Sequence, residues 1–214
     1  MLHLLAPHIA NIYDLILDLI YCGFFLQKNV EQAEKIPSCT SSQSCRYFIL
    51  ESIFRNVQLD SLHNFLDVGC GQGRVLVFLL RKKTKWNLTG IESNSRALQV
   101  CRKWSDRTKI KTIEKNVFNY NISNYDIFFL GHPFNDNYLL QFIEKIENEV
   151  KQKVLVIIVL DISIGDNISK RKGWSIVKQE IIYKYYYLPI LTKKNRFTIY
   201  SYSPNKHDNN KRSI

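Results

Sequence analysis

Short apolar runs alternate with longer segments of helical periodicity through most of the chain. The first clear pair begins with the apolar run at 65–68, continues through a cluster of glycines, and ends in a second apolar run at 75–80. This order predicts a buried strand, a turn and a helix. The pairing recurs as far as KVLVIIVL at 153–160, a run that is typical of a strand buried on both faces. The pattern therefore predicts an α/β domain with a parallel sheet.

The other elements follow from the same periodicities. We predict further strands at 86–91, 109–115, 125–130, 175–187 and 196–202, and helices at 45–57, 95–105 and 137–150. Segment 161–173 is polar and predicts a short helix or a loop. The last two strands have no helix between them, which favours an antiparallel hairpin that closes the sheet. The predicted fold is a three-layer α/β sandwich around a seven-stranded, mostly parallel sheet.

The N-terminal segment is apolar but short. Residues 2–27 predict one or two helices, with Pro7 as the alternative break point and an end near Gly23. The run at 15–26 contains Asp18 and is shorter than the ~20 residues that cross a bilayer. No basic residue precedes it and no small-residue cleavage site follows, so it does not resemble a signal peptide. We expect a helix packed on the domain, with a peripheral membrane contact through 15–26 as the alternative.

Composition narrows the class of protein only partly. A chain of 214 residues is expected to form one domain. The net charge of +11 permits an acidic small molecule, a membrane surface or nucleic acid as partner. No RNA-binding signature is present, so nucleic acid is a secondary alternative, and a lysine-rich surface explains the charge equally well. The five cysteines form no C-x-x-C pair, which argues against a zinc site or a disulfide framework and fits a cytoplasmic location.

The candidate ligand site begins where the first strand ends. Asp67 closes that strand, and Gly69, Gly71 and Gly73 follow at alternate positions before a helix. Glycines at such a turn allow backbone amides at a helix N-terminus to approach a ligand. Glu92 stands just past the end of the next strand, 19 residues after Gly73, near the ~20-residue spacing of an acidic side chain that binds ribose hydroxyls.

These motifs resemble those of the class I S-adenosylmethionine-dependent methyltransferases. DVGCGQG is similar to the first motif of that family, and GIES is similar to the second. A dinucleotide fingerprint would carry Gly or Ala at position 74, where this chain has Arg, so a nicotinamide-dependent oxidoreductase is disfavoured. The resemblance implies the Rossmann-like methyltransferase fold over 38–203, with a helical extension at 1–37 and a disordered tail at 204–214.

The resemblance also implies the cofactor, S-adenosyl-L-methionine, and the residues that bind it. Asp67 would order the glycine loop and reach the methionine amine through water, and Glu92 would take the ribose hydroxyls. Asn116 stands where the family contacts adenine, with a plain strand-end turn as the alternative. Thr40 and Ser41 are weaker candidates, since with Ser42 they equally suit the N-cap of the helix at 45–57. The full predicted cofactor set is Asp67, Gly69, Cys70, Gly71, Gly73, Glu92, Ser93, Asn116 and Val117.

The acceptor site is expected after the fourth strand, where the chain reads GHPF. His132, Pro133 and Phe134 occupy the place of the family's Asn-Pro-Phe motif, with His in place of Asn. His132 could accept a proton from a hydroxyl acceptor, because the ordinary pKa of histidine lies near ~6.5. The alternative is that His132 only shapes the loop. Cys70 is expected to be a packing residue and not a nucleophile.

The substrate class stays open at this stage. The resemblance favours methyl transfer to a small-molecule or glycan acceptor, with a protein lysine as the second choice. A cofactor-binding partner subunit without catalysis is a further alternative, supported by the altered GHPF motif. No metal-binding constellation is visible, and the oligomeric state is not determined by the pattern.

Overall fold

The protein folds around a single sheet in the computed structural model, which describes residues 2–26, 44–55, 57, 61–160, 165–183 and 194–204. The strands are β1 (Asn64–Val68), β2 (Asn87–Glu92), β3 (Lys111–Glu114), β4 (Ile127–Leu130), β5 (Val154–Leu160), β6 (Trp174–Tyr183) and β7 (Lys194–Tyr202). The helices are α1 (Leu2–Cys22), α2 (Tyr47–Phe54), α3 (Arg74–Arg81), α4 (Ser95–Ser105), α5 (Asp136–Glu149) and α6 (Gly165–Ile168). A 3₁₀ turn covers Val117–Asn119.

The strand order is β3-β2-β1-β4-β5-β7-β6. The first five strands run parallel, and β7 pairs antiparallel with both β5 and β6. This confirms the predicted seven-stranded, mostly parallel sheet with a closing hairpin, and it places β3 at an edge of the sheet. The chain builds outward from β1 in one direction and then returns to build from β4 in the other. The carboxyl ends of β1 and β4 therefore form a topological switch point, where ligands bind in open α/β sheets.

The sheet separates two apolar cores. Phe65 and Phe129 belong to the core shared with α2, α3 and α4, whereas their neighbours Leu66 and Phe128 belong to the core shared with α5. This division follows from the strand period of two, because successive side chains point to opposite faces. Both faces are covered by helices, which explains the continuous apolar runs in the sequence and confirms the three layers.

Helix α4 matches its prediction residue for residue. The four apolar side chains that the helical period places on one face are all buried: Ala97, Leu98, Cys101 and Trp104. The side chain of Asn94 accepts hydrogen bonds from the backbone amides of Arg96 and Ala97, so Asn94 caps the helix. Short-range pattern alone was sufficient here, because the helix packs directly on the sheet.

The N-terminal region agrees with its prediction at α1 and differs from it at the start of α2. Helix α1 continues through Pro7 without a break and ends at Cys22, before Gly23 with φ +78°. Helix α2 begins at Tyr47, and the preceding Arg46 makes no capping hydrogen bond with its side chain. The proposed cap residues at 40–42 lie outside the described residues. Instead, the backbone amide of Tyr47 donates a hydrogen bond to the Asp14 carboxylate at 3.2 Å. The first amide of α2 is therefore capped by a side chain of α1, which is distant in sequence.

Two other expectations concern the segment after β5 and the C-terminal tail. Helix α6 is the short helix expected between residues 161 and 173. The tail predicted at 204–214 lies almost wholly outside the described residues. Within the described ranges, no helix combines the length and the apolar character that crossing a bilayer requires.

Candidate active site

The glycine loop that follows β1 is tied to the end of β2. The backbone amides of Gly69 and Cys70 both donate to the Ile91 carbonyl, at 2.9 and 3.1 Å. The Gly71 amide donates to Glu92 Oε2 at 2.9 Å. Parallel pairing in register, with Val68 opposite Ile91, brings the two strand ends level. The two motifs found in the sequence therefore form one site at the carboxyl edge of the sheet.

Two of the loop glycines are required by contacts within the protein. Gly69 has φ +70°, and a Cβ there would lie 2.7 Å from Pro133 Cβ. Gly73 has φ +87°, and a Cβ there would lie 2.6 Å from both Cys101 Sγ and Trp104 Cζ2. The first glycine lets the loop touch the segment after β4, and the third lets it rest on α4. Gly73 was predicted as a cofactor residue, but the contact that requires a glycine at this position is its packing against α4.

Glu92 is held in a fixed orientation by its neighbours. It is buried, and besides the Gly71 amide its carboxylate accepts the Asn94 amide on Oε1 at 2.8 Å. The hydroxyl of Ser93 lies 3.5 Å from the same oxygen. Each oxygen therefore receives one backbone donor and keeps lone pairs for further donors. The predicted pair Glu92 and Ser93 is brought directly beside the glycine loop.

Asp67 is a buried carboxylate that lacks a full set of partners. The residue is 2% exposed, and its Oδ2 atom accepts no hydrogen bond from any of the described residues. Burial raises the pKa of Asp67 well above its ordinary value, and the nearby charge of Glu92 raises it further. A buried polar atom without a partner is costly in free energy. Asp67 therefore offers a strong acceptor for a ligand that carries hydrogen-bond donors or a positive charge.

Asn116 and Val117 lie at the carboxyl end of β3, the edge strand of the site. The Asn116 side chain is exposed and accepts the Phe118 amide at 3.0 Å, which caps the turn Val117–Asn119. The strand-end turn foreseen as the alternative is therefore present. A contact between Asn116 and a ligand base stays a prediction.

The GHPF segment forms the other wall of the site. His132 is exposed and has φ +66°, a left-handed conformation that is uncommon for a residue other than glycine. Pro133 approaches Gly69, as described above. The Phe134 ring is buried between Phe118 and Phe142, with ring centroids 5.4 and 5.7 Å away. The structure thus brings the predicted acceptor residues next to the glycine loop, with His132 facing solvent in a strained loop.

Cys70 has the environment of a packing residue. Its thiol lies beneath the glycine loop beside Cys101, and both are free. A hydrogen bond with Cys101, together with burial, raises the pKa of Cys70 well above its ordinary value. A thiol that resists ionisation is a poor nucleophile. Cys39 lies outside the described residues, and within the described part of the chain no group of three or more His, Cys, Asp or Glu side chains could hold a metal ion.

The sequence interpretation missed a buried ion-pair network behind the glycine loop. Arg74, the first residue of α3, donates to Asp18 of α1 through Nε at 2.9 Å and Nη2 at 2.5 Å. Tyr47 donates its hydroxyl to Asp18 at 2.9 Å, and Arg46 pairs with Asp14 at 3.3 Å. A signal was available in the sequence. Two carboxylates four residues apart in one apolar helix need cationic partners, and an arginine opens another apolar helix.

Comparison with known proteins agrees with this geometry. Residues 65–153 match the model of a family described as a methyltransferase domain. No curated protein matches the chain. A crystal structure of a methyltransferase from Pyrococcus furiosus is similar with a TM-score of 0.61 and 13% identity, covering 94% of this chain and 100% of that one.

Two further solved structures share the fold. An RNA methyltransferase from Salinibacter ruber, in complex with S-adenosyl-L-homocysteine, has a TM-score of 0.60 and 12% identity over 76% of this chain and 95% of its own. The StiE O-MT fragment has a TM-score of 0.58 and 14% identity over 74% of each chain. The predicted fold is confirmed, and residues 65–153 match a methyltransferase domain, the class of protein that the sequence motifs resemble.

Proposed function

We propose that this protein transfers a methyl group from S-adenosyl-L-methionine to a small-molecule or glycan acceptor. The observation that carries the proposal is the pair of buried carboxylates at adjacent strand ends, Asp67 with an unpartnered oxygen and Glu92 with a fixed orientation. Asp67, Glu92, Asn116 and Val117 would hold the cofactor, and the loop His132–Phe134 would face the acceptor.

The residues present fit the chemistry of this cofactor. S-adenosyl-L-methionine carries an ammonium group and two ribose hydroxyls, which are donors for acceptor-only carboxylates. Asp67 is the acceptor that lacks a donor, and Glu92 keeps free lone pairs on both oxygens while two backbone amides hold it still. A side chain whose orientation is fixed before binding loses little entropy when the ligand arrives.

The cofactor supplies an already activated methyl group, so the protein has to orient the acceptor and remove one proton. His132 is the residue that we propose to accept this proton from the acceptor. Its exposed position and left-handed backbone place an imidazole at the rim of the loop that touches Gly69. Strained backbone of this kind is concentrated at functional sites.

The cofactor assignment is tested by titration calorimetry with S-adenosyl-L-homocysteine on the wild type and on Glu92→Ala. We expect binding by the wild type and at least tenfold weaker binding by the variant, about 1.4 kcal/mol. Glu114→Ala is the matched control, because Glu114 ends the neighbouring strand opposite Glu92 but is exposed and paired with Arg102. No binding by folded wild type, or equal losses in both variants, would contradict the assignment.

The role of His132 is tested with His132→Asn. Asparagine tolerates the left-handed backbone, so the loop keeps its shape while the imidazole is removed. With an acceptor found in a panel of sugars, small molecules and lysine peptides, we expect turnover to fall about 10²–10⁴-fold at unchanged cofactor affinity. Unchanged turnover would assign His132 to loop shape alone. Cofactor binding without turnover of any acceptor would favour the non-catalytic alternative.

A further inference from the structure

Helix α1 turns an apolar face to solvent. Ile12, Ile16, Leu19 and Ile20 recur at the spacing of one helical stripe, and each is between 46% and 63% exposed. Three exposed aromatic residues adjoin them: Tyr13 within the helix, and Phe24 and Phe25 just after it ends. We call these seven residues the outer face of α1. A continuous exposed apolar surface of this kind marks an interaction site in soluble proteins.

The polarity of α1 is the reverse of an ordinary surface helix. Its carboxylates, Asp14 and Asp18, point inward and are fully buried against Arg46 and Arg74. The inward face is therefore already packed and satisfied. Among the described residues, none covers the apolar side chains on the other side, so the outer face is available to an external surface.

A basic turn lies at the C-terminal end of α1. Arg81 donates through its guanidinium to the Tyr21 carbonyl at 2.9 Å, which places the turn 81–85 at the C-terminal end of α1. Lys82, Lys83 and Lys85 are exposed on this turn, and Lys82 pairs with Glu51. Among the described residues α1 presents no acidic side chain to solvent, and the charged residues of turn 81–85 are all basic.

We propose that the outer face of α1 lies in the interfacial layer of an anionic lipid membrane, with turn 81–85 against the lipid head groups. An apolar helix face flanked by lysine and arginine is the combination that binds such surfaces, through buried apolar area and attraction to anionic lipid. A second copy of this chain fits less well as the occupant, because each copy carries a net charge of +11 and the two would repel.

The test is vesicle flotation of the full chain with phosphatidylcholine vesicles, with and without phosphatidylglycerol. We expect binding to the anionic vesicles and at least tenfold weaker binding by Ile16→Glu/Ile20→Glu. The matched control is Val177→Glu/Ile181→Glu, which places the same charges on exposed apolar positions of β6. It should bind almost as well as wild type. Lys83→Gln/Lys85→Gln should weaken binding to anionic vesicles about fivefold for each lysine removed.

Three results would overturn the proposal. The wild type could leave anionic vesicles unbound, or the outer-face variant could bind as tightly as the wild type. Light scattering after gel filtration could instead show a dimer that Ile16→Glu/Ile20→Glu dissociates while vesicles stay unbound, which would assign the face to a second copy. Circular dichroism verifies that the variants are folded. The assay contains no cofactor, so its outcome is independent of the proposed methyl transfer.

Discussion

Asp18 and Asp67 are both buried carboxylates beside the glycine loop, yet their surroundings differ completely. Asp18 accepts two hydrogen bonds from Arg74, one from the Tyr47 hydroxyl and one from the Leu26 amide at 3.0 Å. Asp67 has an oxygen with no partner among the described residues. The first carboxylate is satisfied within the fold, whereas the second is the one that we propose to bind the cofactor.

The difference shows how one motif serves two purposes. The segment from Asp67 to Arg74 directs its first residue toward the proposed ligand site and its last toward α1. Satisfied buried charges stabilise the arrangement of the elements, whereas an unsatisfied one stores a cost that binding can relieve. The partners of a buried charge, more than its burial, therefore separate a structural role from a binding role.

The largest expected effect on stability comes from removing Asp18, the buried carboxylate whose hydrogen bonds are all made within the fold. Asp18→Ala leaves the buried guanidinium of Arg74 without its bidentate partner, and we expect the free energy of unfolding to fall by about 3–5 kcal/mol. Urea unfolding followed by circular dichroism measures the loss. Glu51→Ala is the control, because it removes an exposed ion pair with Lys82 and should change stability by at most about 1 kcal/mol. Equal losses of stability in both variants would show that the buried ion pair contributes no more than the exposed one.

A smaller loss is expected from Tyr47→Phe. The ring still packs against Phe78 and Tyr21, but the hydroxyl that donates to Asp18 is removed. A hydrogen bond to a charged group contributes about 1.5–3 kcal/mol, so the free energy of unfolding should fall by about that amount. The same urea titration measures it, and a neutral result would show that Asp18 is satisfied without this donor.

The smallest effect has the opposite sign and concerns Asp67→Asn without ligand. A raised pKa in the folded state means that the folded protein holds its proton over a range where the unfolded chain has lost it. Wild-type stability therefore falls as the pH rises from the ordinary pKa of aspartate through the raised one. The amide does not titrate, so the variant should lack this slope and be more stable at pH 7. Unfolding curves across pH measure both.

The same substitution should weaken cofactor binding, which separates it from a purely structural change. We expect at least tenfold lower affinity for S-adenosyl-L-homocysteine, about 1.4 kcal/mol, in the variant that is more stable when unliganded. A variant that lost both stability and affinity would place Asp67 with Asp18, as part of the scaffold.

Much of the sheet and several site residues could be predicted from local pattern. Helix α4 was predicted at its observed ends, and Glu92 was placed at the end of the second strand beside the glycine loop. These features depend on short-range periodicity, glycine conformation and the order of strands, and each of these can be recognised from residues that are close together in the chain. The match to a known motif then predicted the family.

Local pattern in the chain is sufficient to predict the alternation of strands and helices, the closing hairpin and the meeting of Asp67 and Glu92 at one edge of the sheet. The orientation of α1, in contrast, depends on contacts between residues that are far apart in the chain. Its apolar residues predicted inward packing, but the burial of Asp18 depends on Arg74, 56 residues away. A charge can be buried only where a partner is brought to it, and that partner comes from another part of the chain.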